Sequence, residues 1–338
     1  MAPPTPSPSP EPGPPNEPET DAPLLVGAYW YPWYGADGRH WREGYRGTPL
    51  LGEYDSADLD VIRRQVAWAF DYGVDFFAAS WWGRDSFEDT VTKGAFLQVL
   101  EGQPFRFAIL YEAPGLLGLA GGRISLDNKA IGQLTADLIY LAATYFSHPN
   151  YLQIDRRPVL FIYLTRVFTG DVTGALGQVC ETLVAETGTE PFLIGDEVYW
   201  HVPTPSRLVP FDGITAYNMH TSVPGIADGF SERVRARYGL WADAASRASV
   251  AFVPDVIPGF DDTAVRPEAA HPVIPRSPEL FSAQLQDAMD LASGPTRLVM
   301  ITSWNEWHED TSIEPSEESG MAYLEALSTA VSAAQKTQ

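Results

Sequence analysis

Short apolar runs alternate with helical patterns along most of this chain. The runs that resemble buried strands lie at 24–31, 74–80, 105–111, 158–163, 192–196, 211–217, 250–254 and 297–303. Between them, apolar residues recur every three or four positions, as on a helix with one buried face. Eight strands alternating with helices over this length predict an α/β fold, a (β/α)8 TIM barrel. A doubly wound sheet is the alternative, but no glycine-rich phosphate fingerprint follows the first strand.

The barrel accounts for residues 23–338 as a single domain, and residues 1–22 differ from it in composition. This N-terminal segment is dominated by proline, serine and glutamate, which form neither a helix interior nor a packed core. We predict a disordered Pro-rich tail that acts as a spacer or tether. Such tails often link exported domains to an anchor, which favours a secreted or surface-tethered protein, although no signal-peptide pattern opens the chain.

Charge and cysteine content exclude several classes of function. Lys and Arg number 22 against 44 Asp and Glu, a formal net charge of −22, so nucleic acid would be repelled. No run of 18 apolar residues is present, which predicts no membrane-spanning segment. The single cysteine, Cys180, lies on a helical apolar stripe and is predicted to be an inert core thiol. We expect a monomer without a cofactor.

Aromatic and acidic residues gather where the predicted strands end. The sequence places these residues at or just after the strand ends: Tyr31, Trp33, Tyr34, His40 and Trp41 at the first strand, Trp81 and Trp82 at the second, Glu112 at the third, and Tyr217 and Asn218 at the sixth. Because barrel active sites lie at the carboxyl ends of the strands, these residues predict one cleft. Indole faces pack on sugar rings, and acids and amides bond hydroxyls, so an oligo- or polysaccharide is the expected partner.

The densest of these segments follows the eighth strand, where 304–309 reads Trp-Asn-Glu-Trp-His-Glu. In a turn, Glu306 and Glu309 lie on one side and can enter one pocket, where two carboxyls can perform acid/base catalysis. A solvated polar loop is the alternative, although it has little use for two tryptophans. Metal ligation by His308, Glu309, Asp310 and Glu314 is a further alternative. No His-x-x-x-His or Cys pair accompanies them, so no metal is expected.

These segments resemble glycoside hydrolase family 99, which contains endo-α-1,2-mannosidases and endo-mannanases and has relatives among polysaccharide-biosynthesis proteins of the WbsX type. The likeness runs from residue 24 to about 330. It rests on Tyr-Pro-Trp-Tyr-Gly at 31–35, Ser-Trp-Trp-Gly at 80–83, Leu-Tyr-Glu at 110–112, the 304–309 segment and Ile-Glu-Pro at 313–315. It implies a barrel that cleaves within α-mannosidic chains with retention and without a metal.

The resemblance also implies residue roles. Glu306 would act as base on the sugar 2-hydroxyl, which attacks the anomeric carbon to give a 1,2-anhydro sugar, and Glu309 would be the general acid/base. A carboxylate nucleophile remains an alternative. The expected substrate-binding residues are Tyr31, His40, Trp82, Glu112, Tyr217, Asn218, Trp304, Asn305 and His308. Asp310 departs from the glycine more common in the family, and we expect its charge to raise the pKa of the acid or to crowd the pocket.

Two other functions remain open at this point. The first is an enzyme of the same scaffold that acts on another glycan or in polysaccharide assembly, because loops vary while the barrel stays. The second is a non-catalytic carbohydrate-binding protein. That function would require Glu306 or Glu309 to be lost or misaimed, and both glutamates are present.

Overall fold

The structure, a computed structural model, describes residues 22–220 and 225–336. The predicted Pro-rich tail at 1–22 lies outside the described residues, apart from Ala22, which is buried.

Parallel strands close into the barrel that the apolar runs predict. The strands are β1 Leu24–Trp30, β2 Phe76–Trp81, β3 Arg106–Tyr111, β4 Arg157–Ile162, β5 Phe192–Asp196, β6 Gly213–Thr215, β7 Ala251–Val253 and β8 Arg297–Ile301. Each pairs in parallel with the next along the chain from β1 to β7, and β8 pairs with β1. The ring closes through Asp255–Val256, which continues the line of β7 beyond Pro254 and pairs with β8. The predicted (β/α)8 fold is therefore confirmed.

A helix follows each barrel strand. The helices are α1 Leu59–Asp71, α2 Phe87–Val91 continuing through a wide turn at Thr92–Phe96 into Leu97–Leu100, α3 Asn128–Leu141 with a wide turn at Ala142–Phe146, α4 Val172–Thr187, α5 Pro205–Leu208, α6 Phe230–Ala248, α7 Pro278–Leu291 and α8 Ala322–Lys336. Side chains of Asp58, Ser86, Asp127, Asp171 and Ser277 accept hydrogen bonds from first-turn amides, which satisfies donors that the helix leaves unpaired. Among the described residues, no helix is both long and apolar enough to traverse a bilayer.

The loops contain short strands and single helical turns. Ile124–Ser125 pairs with Phe168–Thr169, and Gln153–Ile154 forms a hairpin with β4. Single helical turns occupy Pro114–Gly118, Thr165–Val167 and Pro267–Ala269.

The barrel wall divides the apolar residues into two layers, because successive side chains of a strand point to opposite faces. Tyr29, Phe76 and Met300 belong to the layer inside the barrel. Trp30 and Phe77 belong to the layer between barrel and helices. This alternation decides which residues beyond the strand ends can reach a cleft and which must stay in the core.

Cys180 lies on α4, half-buried against the outer layer. Burial raises the pKa of its thiol to about 11, so the sulfur stays protonated and unreactive at neutral pH, as expected for an inert core thiol.

Gly27 in β1 tests the packing inside the barrel. A Cβ added there would stand 2.2–2.7 Å from three atoms of the Phe76 ring. We expect Gly27→Ala to destabilise the fold by about 1–3 kcal/mol in urea denaturation, because an overpacked core must shift. Gly132→Ala in α3 is the control: no atom lies within 4 Å of the new methyl group, and alanine favours helix by up to about 1 kcal/mol. Equal stability of the two variants would contradict this packing.

Candidate active site

A cleft of about 420 Å³ opens at the carboxyl ends of the strands. It is lined by Trp33, His40, Glu43, Trp82, Glu88, Val265, Arg266, Glu306 and His308. These residues come from the loops after β1, β2, β7 and β8 and from the start of α2. Five residues that the sequence assigns to the cleft thus line one cavity, namely Trp33, His40, Trp82, Glu306 and His308.

Asn305 joins the loop after β8 to the loop after β1. Its side-chain oxygen accepts a hydrogen bond from the Tyr31 amide at 2.7 Å, and its Nδ2 donates to the Tyr31 carbonyl at 3.0 Å. The hydroxyl of Tyr34 donates to the Asn305 carbonyl at 3.0 Å. Asn305 is fully buried, so its amide connects these two loops rather than contacting a sugar. We call this connection between Asn305 and Tyr31 the joint.

The buried carboxylate of Glu314 stabilises the same joint through hydrogen bonds to its neighbours. It accepts hydrogen bonds from Gln65 Nε2 and the Tyr54 hydroxyl, both at 2.7 Å, and from Trp307 Nε1 at 3.1 Å. Tyr54 in turn accepts from Asn305 Nδ2 at 3.1 Å. Burial raises the pKa of Glu314 to about 7, although the three donors oppose the rise.

Trp304 is not brought to the cleft. Its ring is fully buried with its centroid 5.0 Å from that of Phe77, in the layer between barrel and helices. The Trp304 amide donates to the Tyr29 carbonyl at 2.8 Å, which extends the β8–β1 contact and turns the side chain outward. Trp304 is therefore a core residue, unlike the sugar contact expected from the sequence.

Glu306 lies at the cleft with only 4% of its surface exposed. Its amide donates to Ser303 Oγ at 2.7 Å, and its carboxylate accepts from the His308 amide at 3.0 Å. Burial, followed by the nearby charge of Glu309, raises the pKa of Glu306 well above its ordinary value.

Glu309 occupies a different electrostatic environment. Its Oε1 accepts from Arg266 Nη1 at 2.7 Å, and its Oε2 lies 3.8 Å from His220 Nε2, beyond hydrogen-bonding distance. Burial alone would raise the pKa of Glu309, but the nearby His220 ring and the Arg266 guanidinium outweigh it and lower the pKa below its ordinary value. Arg266 also contacts Asp262 at 3.1 Å. Glu309 is thus the ionised member of the pair, and Glu306 is the member that tends to hold a proton.

Asp310 does not act on Glu309 as expected from the sequence. Its carboxylate pairs with Arg276 at 3.2 Å, and the same guanidinium donates to the carbonyls of Asp310 and Ser312. The pKa of Glu309 is lowered rather than raised. Asp310 therefore anchors the loop to Arg276 and does not line the cleft.

Trp82 presents an open aromatic face in the cleft, with 40% of its surface exposed. Its Nε1 donates to Ser80 Oγ at 2.9 Å, and Ser80 donates to Glu112 at 2.6 Å. Gly115 backs the ring: a Cβ there would be 2.9 Å from it. Glu112 itself is buried, and burial raises its pKa to about 8. Trp82 is thus held as a rigid platform.

Tyr31 and Tyr217 are buried near the two glutamates, and their hydroxyls bond each other. Burial raises the pKa of both phenols, and the charges of Glu306 and Glu309 raise it further. Asn218 is also buried and donates from Nδ2 to the Tyr163 hydroxyl at 3.0 Å.

Sequence reasoning missed Arg266, Asp262 and Glu43. Arg266 and Asp262 lie in a long Pro-containing loop after β7, and no local pattern marks them, because Arg266 meets Glu309 only through the fold. His220, which approaches Glu309, ends a Tyr-Asn-Met-His segment at 217–220, so its position after a predicted strand was a usable signal.

Known proteins resemble this chain in sequence. The model of a family described as Glycosyltransferase WbsX matches residues 127–327. A protein named Uncharacterized protein WxcX, from Xanthomonas campestris pv. campestris, is 26% identical over 94% of this chain and 51% of its own length. Glycoprotein endo-alpha-1,2-mannosidase of Mus musculus is 22% identical over 85% of this chain and 67% of its own. The chain thus spans about half of the Xanthomonas relative.

Solved structures resemble it over nearly its whole length. A Glycoside hydrolase-like protein superposes with a TM-score of 0.77 at 19% identity, covering 95% of this chain and 96% of the other. The GH99 endo-alpha-mannosidase from Bacteroides thetaiotaomicron superposes with a TM-score of 0.73 at 20% identity, covering 92% and 98%. At these identities the likeness establishes a shared fold.

The pH dependence of the stability lost in Glu314→Gln tests how Glu314 stabilises the joint. Because the folded-state pKa is raised from 4.5 to about 7, the wild-type carboxyl contributes stability that is complete below pH 4.5 and is lost as pH rises through about 7. Glutamine does not titrate, and its NH2 group cannot accept from Trp307. We expect the variant to be less stable by about 1–3 kcal/mol near pH 5, with a smaller difference near pH 8.

Urea denaturation at the two pH values measures this difference. Glu317→Gln, an exposed neighbour, is the matched control and should leave the stability unchanged at both. A stability difference that widens with rising pH would contradict the raised pKa of Glu314.

Proposed function

This chain belongs to the WbsX family, and we propose that it is a retaining, endo-acting glycoside hydrolase of α-mannoside-like glycans. The observation that carries the proposal is that Glu306 lines the cleft with the open face of Trp82, while Glu309, close enough to raise the pKa of Glu306, occupies a contrasting electrostatic environment. Enzymes that cleave glycosidic bonds use two carboxyl groups of unequal proton affinity. The endo-α-mannosidase names of the mouse and Bacteroides proteins support the choice of α-mannosides.

We assign Glu306 as the base and Glu309 as the general acid/base. The sugar 2-hydroxyl gives its proton to Glu306 while its oxygen attacks the anomeric carbon, and the bond to the leaving oxygen breaks as Glu309 protonates that oxygen. The resulting 1,2-anhydro sugar is opened by water. Water gives a proton to Glu309, and the 2-hydroxyl recovers its proton from Glu306. Two displacements at one carbon retain its configuration.

Arg266 imposes a condition on this assignment. Its contact with Glu309 favours the ionised carboxylate, whereas an acid must carry a proton when the substrate is bound. The assignment therefore requires Arg266 to leave Glu309 as the glycan enters, and it requires Glu306 to give up the proton that it tends to hold. The side chain of Arg266 is 47% exposed and already contacts Asp262, so it can rotate without losing every counter-charge. The reverse assignment, with Glu306 as acid and Glu309 as nucleophile, needs no such movement.

The family description favours a second candidate, glycosyl transfer during polysaccharide assembly. The same carboxyl pair could serve it if a sugar hydroxyl replaced water as the acceptor. The two functions differ in their products, because transfer lengthens a chain and hydrolysis shortens it.

Product analysis on α-mannan tests the function. We expect the wild type to release oligosaccharides of defined length, and Glu306→Gln and Glu309→Gln each to lose at least about 10²–10⁴-fold in rate. Glu317→Gln is the control and should cleave like the wild type. Products longer than an added acceptor sugar would favour transfer. Binding without cleavage of any α-mannoside by the wild type would favour another glycan or a binding protein.

A substrate glycosyl fluoride tests the two roles, because fluoride leaves without being protonated. Under the proposed assignment, Glu309→Gln should release fluoride in the first turnover at a rate close to that of the wild type. Glu306→Gln should be slow on both the fluoride and the natural glycan. Measurement of first-turnover fluoride separates this step from the later attack of water. The opposite pattern would make Glu306 the acid and Glu309 the nucleophile.

A further inference from the structure

His308 carries an acceptor that the cleft leaves without a partner. Its Nδ1 lies 2.8 Å from the Gly44 carbonyl, and because a carbonyl only accepts, the ring proton sits on Nδ1. The lone pair of the neutral ring is then at Nε2. Nε2 is buried, and no hydrogen-bond partner reaches it among the described residues. Since an unsatisfied buried acceptor costs about 1–3 kcal/mol, this nitrogen is suited to a ligand.

His40 and Glu43 lie close to the His308 side chain. One ligand atom from each of His40, Glu43 and His308 lies within 4.8 Å of the other two, and all three residues line the cleft. His40 Nδ1 is 3.6 Å from Glu43 Oε2. The ring of His40 stacks on Trp33 at 4.8 Å between centroids, which limits its rotation. The loops after β1 and β8 thus place two imidazoles and a carboxylate together.

One of these separations suits a small cation. Zn²⁺ binds imidazole and carboxylate at about 2.0–2.2 Å with tetrahedral geometry, which separates its ligand atoms by roughly 3.3 Å. The separation between His40 and Glu43 is already within a few tenths of an ångström of that value. Glu43 is 55% exposed, so its carboxylate can move toward the imidazole of His308. The Gly44 carbonyl fixes the tautomer of His308, as outer-shell acceptors do for metal-binding histidines.

The local charge also favours a cation. The lining of the cleft includes Glu43 and Glu88, and Arg266 is already engaged by Glu309 and Asp262. Calcium and magnesium prefer oxygen ligands, so a set with two imidazoles favours a transition metal.

We propose that His40, Glu43 and His308 form a binding site for a divalent transition-metal ion of the Zn²⁺ class. Because all three residues line the cleft, water or a sugar hydroxyl could supply a fourth ligand to the ion. This ligand set differs from the metal ligands considered in the sequence, which were His308, Glu309, Asp310 and Glu314. Only His308 is common to both sets. The site stands on its own geometry and does not depend on the proposed hydrolysis.

Metal titration of the full chain without an affinity tag tests the site. Chelator-treated protein is titrated with Zn²⁺ and, separately, with Co²⁺, and bound metal is counted by mass spectrometry. We expect one ion per chain and a Co²⁺ absorption spectrum typical of tetrahedral nitrogen and oxygen ligands. Glu43→Gln and His40→Gln should each weaken binding by at least about tenfold, since even outer-shell partners contribute 10–100-fold.

His201→Gln is the matched control, because His201 is exposed and lies outside the cleft lining. It should bind metal like the wild type. Glu43 is exposed, so Glu43→Gln should keep the wild-type melting temperature, and its loss of binding would report on the site alone. No stoichiometric binding by the wild type, or wild-type affinity in both Glu43→Gln and His40→Gln, would overturn the proposal. The two imidazoles would then be contacts for sugar hydroxyls.

Discussion

The site depends on one joint, the pair of hydrogen bonds between the Asn305 side chain and the backbone of Tyr31. β1 and β8 are neighbours in the barrel although they lie at opposite ends of the chain. Their loops would diverge once the strand ladder stopped, and Asn305 continues the connection by replacing a backbone partner with a side-chain amide. The carboxylate of Glu314 then fixes Tyr54 and Trp307 around that joint. Both sides of the cleft are thereby set by one buried, fully bonded polar network.

The same loop also produces the electrical asymmetry of the cleft. Glu306 accepts a hydrogen bond from a backbone amide and forms no ion pair with any described residue, whereas Glu309 pairs with Arg266. In a buried setting a single guanidinium has a large effect, because the low dielectric that penalises one carboxylate strengthens the attraction felt by the other. Two glutamates three positions apart therefore differ in proton affinity. The spacing of the two glutamates alone does not distinguish their proton affinities.

Aromatic residues illustrate how the barrel wall sorts similar side chains. Trp81 and Trp82 are adjacent, yet Trp81 is buried in the outer layer and Trp82 is open to the cleft. Trp304, like Trp81, is buried in the core, where its ring packs near that of Phe77. Strand alternation explains the first pair. Beyond β8 the chain is no longer a strand, so alternation could not forecast the direction of Trp304.

The sequence by itself determined the barrel, since apolar runs and helical stripes are local consequences of burial on a wall and on one helix face. It also determined that acids and aromatics would collect at the carboxyl ends of the strands, because connectivity places those ends on one side. Tertiary structure alone decided which of these residues face the cleft. Arg266 reaches Glu309, and His40 reaches His308, only because separate loops converge in space. Contacts between residues far apart along the chain leave no periodic trace, so spacing cannot reveal them.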